Sequence, residues 1–302
     1  MAKDAAYYTA LENIKHAREN QATELNLSNM GLTELPDEIG QLTHLQVLHI
    51  GHDYKQDGKR NQLRSVPESI GQLVNLQKLH LNSNQLTSVP ESLGQLVNLR
   101  ALYLWRNQLS SVPESLGQLI DLQTLYLSDN NLHNVPEWLR QLVNLETLNL
   151  SGNQLNGIPE WLGELVNLKI LDLGDNQLSN VPESLVQLTN VWFLDLCDNQ
   201  LSTVPEWLGE LVNLWWLDLA DNQLGSLPES LGELVNLWWL DLNNNDLSIM
   251  PESLEHLVNL EQLDLGNNPL NPELQVAYDQ GLNSFRAYLR SPIATRSMLS
   301  QT

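Results

Sequence analysis

A fixed repeat period constrains this chain more than any other feature of its sequence. Prolines recur at positions 36, 67, 90, 113, 136, 159, 182, 205, 228 and 251, a step of 23 residues that is broken once by a step of 31. The longer step indicates one insertion within residues 51–61, GHDYKQDGKRN. A period of about 20 to 50 residues predicts a solenoid of stacked coils. The length of 302 residues therefore does not imply two globular domains.

Each copy fits the template LxxLxLxxNxL, of which residues 214–224 (LWWLDLADNQL) are an example. We number the template from its first leucine, so that Leu217 and Leu219 occupy positions 4 and 6. Side chains alternate along a strand, and these two leucines are expected to point into the core from a short strand. The residues around them then point to the opposite, concave face. Asparagine at position 9 is expected to be buried and to bond backbone groups of neighbouring coils, because a buried amide must be satisfied.

The other half of each coil reads VPESLGQLVN or a variant of it. Proline and an acidic residue at a helix start are both favourable, so each coil should contain about one helical turn, of the α or the 3₁₀ type, on the convex side. The acidic residues at this position are interpreted as helix-start residues and not as a catalytic set. They are Asp37, Glu68, Glu91, Glu114, Glu137, Glu160, Glu183, Glu206, Glu229 and Glu252. Glycines such as Gly94 and Gly209 are expected to keep the segment short.

The two ends of the array differ from its middle. Tyr7, Leu11 and Ile14 follow helical spacing, which predicts an amphipathic helix that covers the first coil. Capping segments with a polar outer face are expected in such arrays. The predicted organisation is an N-terminal helical cap at 1–21, eleven repeats at 22–270 with the insertion within 51–61, and a C-terminal helical cap and tail at 271–302.

The pattern LPESLGQLVNLxxLxLxxNQLxxV resembles the 23-residue class of the leucine-rich-repeat superfamily. It is similar to the repeats of Roco proteins, plant Ras-group repeat proteins and related bacterial scaffolds. This resemblance implies an α/β fold, a right-handed curved horseshoe with a parallel β-sheet on its concave face and helical caps at both ends. The segment GNNPLNPELQVAYDQGLNSFRAYLRS also resembles the cap that joins repeats to a Ras-like GTPase in Roco proteins.

The chain departs from a complete Roco protein in one respect. No GxxxxGK[ST] phosphate-binding loop is present, since Gly58 and Lys59 are followed by Arg60. If the chain is a Roco relative, it is expected to be the repeat domain alone or a separate homologue.

Charge is distributed unevenly along the sequence. Residues 110–280 carry 26 acidic and only 2 basic residues, whereas residues 1–109 are nearly balanced. Nucleic acid is therefore not expected as a partner, because phosphate binding needs clustered Lys and Arg. No secretion signal or membrane segment is recognisable, and a cytoplasmic protein is expected. Cys197 is the only cysteine, so no intramolecular disulfide can form.

Catalytic, cofactor and metal sites are not predicted. The seven histidines do not combine with Cys197 or with each other at a metal-ligand spacing, although His49 and His80 should be neighbours on the concave face. Asp195 and Asp198 should raise the pKa of Cys197 and make it a poor nucleophile. We expect no enzyme in this chain.

Position 5 of the template forms a column on the concave face. It runs Asn26, His49, His80, Tyr103, Tyr126, Asn149, Asp172, Asp195, Asp218, Asp241 and Asp264. Asp175, Asp198 and Asp221 at position 8 would add to the resulting acidic field. The simpler interpretation of the column is that LDL is a common consensus form of this repeat.

Positions 2 and 3 carry aromatic pairs in three successive copies, and this is the basis of the favoured site. An aromatic cluster next to acidic residues suits a binding hot spot for a partner that presents basic and apolar residues. Stacking of the aromatic residues on each other is the alternative. The predicted partner-binding residues, here called the Trp/Asp sector, are Trp192, Phe193, Asp195, Trp215, Trp216, Asp218, Asp221, Trp238, Trp239, Asp241 and Asp264.

A second, mildly basic and aromatic region is predicted in the N-terminal half. Its residues are Lys78, His80, Arg100, Tyr103, Trp105, Arg106 and Tyr126. The insertion, with Lys55, Lys59 and Arg60, should lie beside it as either an ordered binding loop or a disordered one. Trp138, Trp161 and Trp207, on the convex half, are expected to be partly buried.

Three functional classes follow from the sequence. A non-enzymatic scaffold that binds a protein or peptide is favoured, because variable outward residues on a sheet offer a broad surface. A regulatory repeat domain of a Roco-like GTPase is the alternative, and a cation-binding or purely structural protein is the third. The aromatic residues also leave open a homodimer formed through the concave face or a terminal edge.

Overall fold

The computed structural model describes residues 3–55 and 57–291. It divides into two compact units, Met1–Gln154 and Leu155–Thr302. Residues 292–302 of the predicted C-terminal cap and tail lie outside the described residues, as do residues 1–2 of the predicted N-terminal cap.

The first unit contains one helix and six parallel strands. Helix α1 spans Ala5–Glu19 and is capped by the Asp4 side chain, which accepts a hydrogen bond from the Tyr7 backbone N–H. Ala10, Ile14 and Ala17 are its buried residues, while Tyr7 and Leu11 are half-buried. The strands are β1 (Glu24–Asn26), β2 (Val47–His49), β3 (Lys78–His80), β4 (Ala101–Tyr103), β5 (Thr124–Tyr126) and β6 (Thr147–Asn149). Each strand pairs in parallel with the next.

The described part of the second unit, up to residue 291, contains five parallel strands followed by two α-helices. The strands are β7 (Ile170–Asp172), β8 (Phe193–Asp195), β9 (Trp216–Asp218), β10 (Trp239–Asp241) and β11 (Gln262–Asp264). Each pairs in parallel with its sequence neighbour. Helices α2 (Pro272–Asp279) and α3 (Leu282–Arg290) follow β11, and Arg286 of α3 donates hydrogen bonds to the carbonyls of Leu257 and Leu260. None of the helices in the described part of the chain combines the length and apolar character that crossing a bilayer requires.

Five-residue 3₁₀ segments alternate with the strands, as predicted. In the first unit they are Asp37–Gln41, Glu68–Gln72, Glu91–Gln95, Glu114–Gln118 and Glu137–Gln141. In the second they are Glu160–Glu164, Glu183–Gln187, Glu206–Glu210, Glu229–Glu233 and Glu252–His256. The predicted acidic residue is the first residue of every segment, and the proline precedes it with an extended backbone. The proline carbonyl accepts the first hydrogen bond of the segment, as from Leu208 N to Pro205 O at 3.1 Å.

The core of each coil consists of the template leucines. Leu217 and Leu219 are 0% and 1% exposed, so positions 4 and 6 point inward as predicted. Asn222 at position 9 is buried and fully used: its Oδ1 accepts from Leu201 N at 3.0 Å, and its Nδ2 donates to Leu196 O and Leu219 O. Equivalent asparagines repeat these bonds in other coils of both units. The buried asparagine ladder is confirmed.

Glycine occurs in the 3₁₀ segments for a structural reason that differs from the predicted one. A Cβ on Gly209 would lie 2.2 Å from the backbone oxygen of Ser230 in the next coil, and one on Gly94 would lie 2.3 Å from that of Ser115. At Gly94 and Gly209 the next coil leaves no room for a side chain in its present position. Glycine does not set the length of the segment, because the segments with Arg140, Val186 or Glu255 at the same position also have five residues.

Candidate functional site

Two stacked aromatic rows run across β8, β9 and β10 in the second unit. At position 3, Phe193 stacks on Trp216 with a centroid distance of 5.6 Å, and Trp216 stacks on Trp239 at 4.3 Å with planes 2° apart. At position 2, Trp215 stacks on Trp238 at 4.7 Å with planes 4° apart. Trp192 meets Trp215 edge to face at 6.4 Å. The strand register brings the six predicted aromatic residues together in one cluster.

Stacking reduces the exposure of the aromatic cluster without removing it from the surface. Trp192 and Trp215 are 38% and 42% exposed, and the other four side chains are half-buried. The indole N–H groups of Trp216 and Trp239 are buried and make no hydrogen bond within the described residues. Stacked and edge-to-face pairs of aromatic rings are favourable beyond the area that they bury. The aromatic side chains therefore stack on each other, as the alternative interpretation predicted. Trp192 and Trp215 nevertheless remain partly exposed at the surface.

The aspartates of position 5 lie on the same sheet face in β7 to β11. Their carboxylates accept a backbone hydrogen bond from the residue two positions later: Asp195 from Cys197 N at 2.9 Å, Asp218 from Ala220 N at 3.0 Å, and Asp241 from Asn243 N at 3.0 Å. Asn149 in the first unit accepts the same bond from Ser151 N. Such local bonds terminate a strand and give the aspartates an architectural role in addition to their charge.

Asp218 has a strongly altered environment. Its pKa is raised from 3.8 to about 7, first because burial disfavours the carboxylate and then because Asp195, Asp241 and Asp221 are close. The hydrogen bond from Ala220 N opposes this rise. Asp218 is thus a carboxyl group whose charge responds to pH near neutrality.

The backbone conformation at position 8 favours the acidic residues found there. Asp175, Asp198 and Asp221 have φ values of +50°, +49° and +52°. This left-handed conformation is disfavoured for most residues and is tolerated best by Gly, Asn and Asp. Asp221 belongs to the Trp/Asp sector, and the turn favours aspartate at its position independently of any partner. Burial and the neighbouring Asp175 and Asp221 raise the pKa of Asp198.

Cys197 does not have the environment of a nucleophile. Burial raises the pKa of its thiol, and Asp195, Asp218 and Asp172 raise it further. The predicted direction is confirmed; Asp195 contributes as expected, but Asp218 and Asp172, and not Asp198, are its other acidic neighbours. Asp195, Cys197 and Asp218 each bring one ligand atom within 4.8 Å of the others. A protonated thiol is a poor metal ligand, because metals bind the thiolate.

The second predicted region contains a continuous aromatic stack at position 5 of β2 to β5. His49 stacks on His80 at 4.5 Å, His80 on Tyr103 at 4.2 Å, and Tyr103 on Tyr126 at 5.4 Å. Burial lowers the pKa of His80 to about 4, helped by His49 and Lys78, so His80 is neutral at physiological pH. Lys78 and Arg100 lie exposed at positions 3 and 2. Arg100 lines a polar cavity of about 180 Å³.

The described part of the insertion packs against the neighbouring coils of the first unit. Tyr54 stacks on Trp105 at 5.7 Å, and its hydroxyl accepts a hydrogen bond of 2.8 Å from Arg106 Nη1. Arg106 also pairs with Asp129 at 3.1 Å. Lys59 forms a parallel bridge with Met30. These contacts favour an ordered loop, which is one of the two predicted alternatives.

The tryptophans of the 3₁₀ segments are packed at least as closely as the predicted partial burial. Trp138 and Trp161, in 3₁₀ segments, are 5% and 9% exposed, and Trp207 is half-buried. Sequence reasoning missed Tyr54, although it is the one aromatic residue between positions 51 and 61 other than histidine. It also missed Glu261, which occupies position 2 in the copy after Trp238.

Models of the leucine-rich repeat match the chain over more than half its length. One matches residues 97–155 and 194–247, and a two-copy model matches residues 74–118 and 143–187. The comparison with curated protein sequences gave no significant match.

Several solved structures have the same fold. The Arabidopsis receptor kinase HAESA, solved in complex with the peptide hormone IDA and the co-receptor SERK1, is 28% identical with a TM-score of 0.70, over 83% of this chain and 47% of that one. A chain of the octameric complex of latrophilin 3, Unc5D and the leucine-rich-repeat protein FLRT2 is 27% identical with a TM-score of 0.69, over 85% and 78%. The internalin InlF of Listeria monocytogenes, at 21% identity and a TM-score of 0.57 over 89% and 90%, supports the fold alone.

Proposed function

Because the chain belongs to the leucine-rich-repeat proteins, whose members are generally interaction modules, we propose that it is a non-enzymatic scaffold that binds a protein or peptide. We assign the binding to the sheet face of the second unit, through the Trp/Asp sector. A partner with apolar residues beside lysine or arginine would match this surface.

The observation that carries this proposal is the aromatic cluster on β8, β9 and β10 beside the acidic column. Large aromatic side chains at a partly exposed surface are typical of binding hot spots. Acidic residues next to them favour a cationic partner and disfavour an acidic one. The Arabidopsis receptor HAESA, which is similar to this chain, was solved with a peptide hormone and a co-receptor, and this supports a peptide or protein partner.

The assignment of no enzymatic activity rests on the absence of a catalytic arrangement within the described residues. Cys197 is the single cysteine, its thiol pKa is raised, and no histidine contacts it in this part of the chain. The stacked His49 and His80 face each other and Tyr103, and not a nucleophile.

A crosslinking capture from the source cells tests the proposal. The wild-type protein is compared with the double variant Trp216→Ala, Asp218→Ala, which removes one aromatic and one acidic residue from β9. The matched control is Val212→Ala with Glu210→Gln, which removes an exposed apolar group and an acid in the same unit but away from the sheet face. Partners should be retained by the control and lost by the sector variant. Equal capture by all three forms would remove this surface from consideration.

Self-association is one form of protein binding that the same variants address. A homodimer that forms through the aromatic surface should dissociate when Trp216→Ala and Asp218→Ala are combined, as measured by sedimentation.

A cytoplasmic location remains a prediction, which fractionation of the source cells tests.

A regulatory role beside a Roco-like GTPase is the second candidate function. The helices α2 and α3, which coincide with the segment that resembles a Roco cap, favour it: Leu274, Phe285 and Leu289 are buried there. A gene or transcript that continues into a GxxxxGK[ST] motif after this segment would support this candidate. A gene that continues into another domain type would contradict it.

A further inference from the structure

The position-2 row of tryptophans ends against an acidic residue. Trp239 pairs with Gln262 across β10 and β11, so Glu261 follows Trp238 in the position-2 column. Trp215 covers one face of the Trp238 indole, with a centroid distance of 4.7 Å. The opposite face of Trp238 is on the side of Glu261, whose side chain is exposed.

A surface cavity of about 540 Å³ lies at this end of the row. Trp215, Trp238, Glu261 and Val258 line it, together with three asparagines that precede the first template leucine in successive coils. Val258 is 67% exposed and supplies an apolar edge. No lysine, arginine or histidine is among the lining residues of this cavity.

The three asparagines each bring an amide oxygen, a hydrogen-bond acceptor, to the lining of the cavity. Their Nδ2 groups donate to backbone carbonyls of the preceding coil: Asn213 to Thr189 O, Asn236 to Val212 O, and Asn259 to Val235 O, all at 2.8–2.9 Å. Each side chain then retains its Oδ1 as an acceptor and one further N–H as a donor. With the Glu261 carboxylate, the cavity combines an aromatic face, acceptors and one negative charge.

We propose that this cavity binds the guanidinium group of an arginine side chain in the partner. The proposal rests on the proposed peptide-binding function and names the side chain that the partner presents. A guanidinium is planar, stacks on an indole face and carries five N–H donors, so it matches a site made of a tryptophan face, acceptors and a carboxylate. A lysine ammonium is a compact point charge and cannot stack, so it should bind more weakly.

The test uses synthetic peptides and the full chain. The probe is acetyl-Gly-Leu-Arg-Leu-Gly-amide, and its forms with lysine or citrulline at the central position are the comparisons. Binding is followed by nuclear magnetic resonance of the indole N–H signals, with the Trp238 signal identified by its loss in Trp238→Phe. The arginine peptide should bind about fivefold more tightly than the lysine peptide, and citrulline, which lacks the charge, should bind least.

Single variants locate the binding. Glu261→Gln should weaken the arginine peptide about tenfold, because a charge-assisted hydrogen bond is lost. Glu210→Gln, which removes the same charge from a 3₁₀ segment of the same unit, should leave the affinity unchanged, and circular dichroism confirms folding of both. Equal affinity for arginine, lysine and citrulline peptides, or no effect of Glu261→Gln, would overturn the proposal.

Failure of the guanidinium site and failure of the proposed function would give different experimental results. If arginine peptides do not bind but capture of partners still depends on Trp216 and Asp218, the guanidinium site is wrong and the scaffold function stands. If arginine peptides bind at Glu261 while capture is independent of Trp216 and Asp218, the guanidinium site is supported. The proposal that partners bind through the Trp/Asp sector is then contradicted.

Discussion

Single residues on the sheet face of the second unit have two roles. The aspartates of position 5 close the strand by accepting a backbone N–H, and they also carry the charge that a cationic partner would meet. The column itself follows from the 23-residue period, because equivalent positions stack in a solenoid. The local hydrogen bonds and the raised pKa of Asp218 could not be predicted, since they depend on side-chain conformation and burial.

Replacing Asp218 by asparagine should change the pH dependence of stability. The pKa of Asp218 is raised from 3.8 to about 7, so in the folded protein the carboxyl keeps its proton between these values while the unfolded chain loses it. The stabilising contribution of this group is therefore full below about pH 4 and is lost as pH rises through about 7. Asp218→Asn should be more stable than the wild type at pH 8 and should differ less from it at pH 4.

Thermal unfolding at a series of pH values measures this effect. Asparagine can still accept the bond from Ala220 N, as Asn149 accepts the bond from Ser151 N at the same template position. Asp246→Asn, an exposed aspartate of the same unit, is the control. A wild type that is no less stable than Asp218→Asn at pH 8 would show that Asp218 is not destabilised by ionisation.

At the scale of the element, the strand and the helical turn of each coil were predictable from the sequence. Leucine alternation predicted a short strand in each coil, and the Pro-acid pair predicted about one helical turn where the 3₁₀ segments lie. The reason for the glycines was wrong because it lies in the next coil: a contact between Gly209 and Ser230 leaves no trace in the local pattern. The same holds for Tyr54, whose packing on Trp105 joins an insertion to a coil 51 residues later.

Glycine substitutions test the close approach of neighbouring coils. Gly209→Ala should lower the free energy of unfolding by about 1–3 kcal/mol, because its Cβ would overlap the Ser230 backbone oxygen. Gly225→Ala is the matched control, since nothing lies within 4 Å of a Cβ built there. Denaturant unfolding of the two variants provides the measurement. Equal stability of both would mean that the coils can separate at no cost.

At the scale of the whole molecule, acidic charge and aromatic residues occur together in one part of the sequence, where we propose that partners bind. Residues 110–280 hold 26 acidic residues and 2 basic ones, and the aromatic rows of β8 to β10 fall within this range. The family and the parallel strands were predictable from the repeat alone. The position of the Trp/Asp sector followed from column-by-column comparison, whereas the stacking of its rings and the cavity at Glu261 required coordinates.

Millimolar Ca²⁺ should leave the melting temperature unchanged relative to NaCl of equal ionic strength. Ca²⁺ takes about six to eight oxygen ligands, whereas each position-5 aspartate of β8 to β10 already uses one oxygen to hold its own backbone. Differential scanning fluorimetry tests this expectation. A rise of several degrees with Ca²⁺ alone would favour the cation-binding alternative, because a ligand that binds the folded state raises its stability.

The central claim is that partners bind on the sheet face of the second unit through the Trp/Asp sector. Its most direct measurement is the dissociation constant of a captured partner for the wild type, for Trp216→Ala with Asp218→Ala, and for the Val212→Ala, Glu210→Gln control. Loss of one aromatic hot-spot residue typically costs at least about 2 kcal/mol, so the sector variant should bind roughly thirtyfold or more weakly. The control should bind as tightly as the wild type. A sector variant with wild-type affinity would contradict the account.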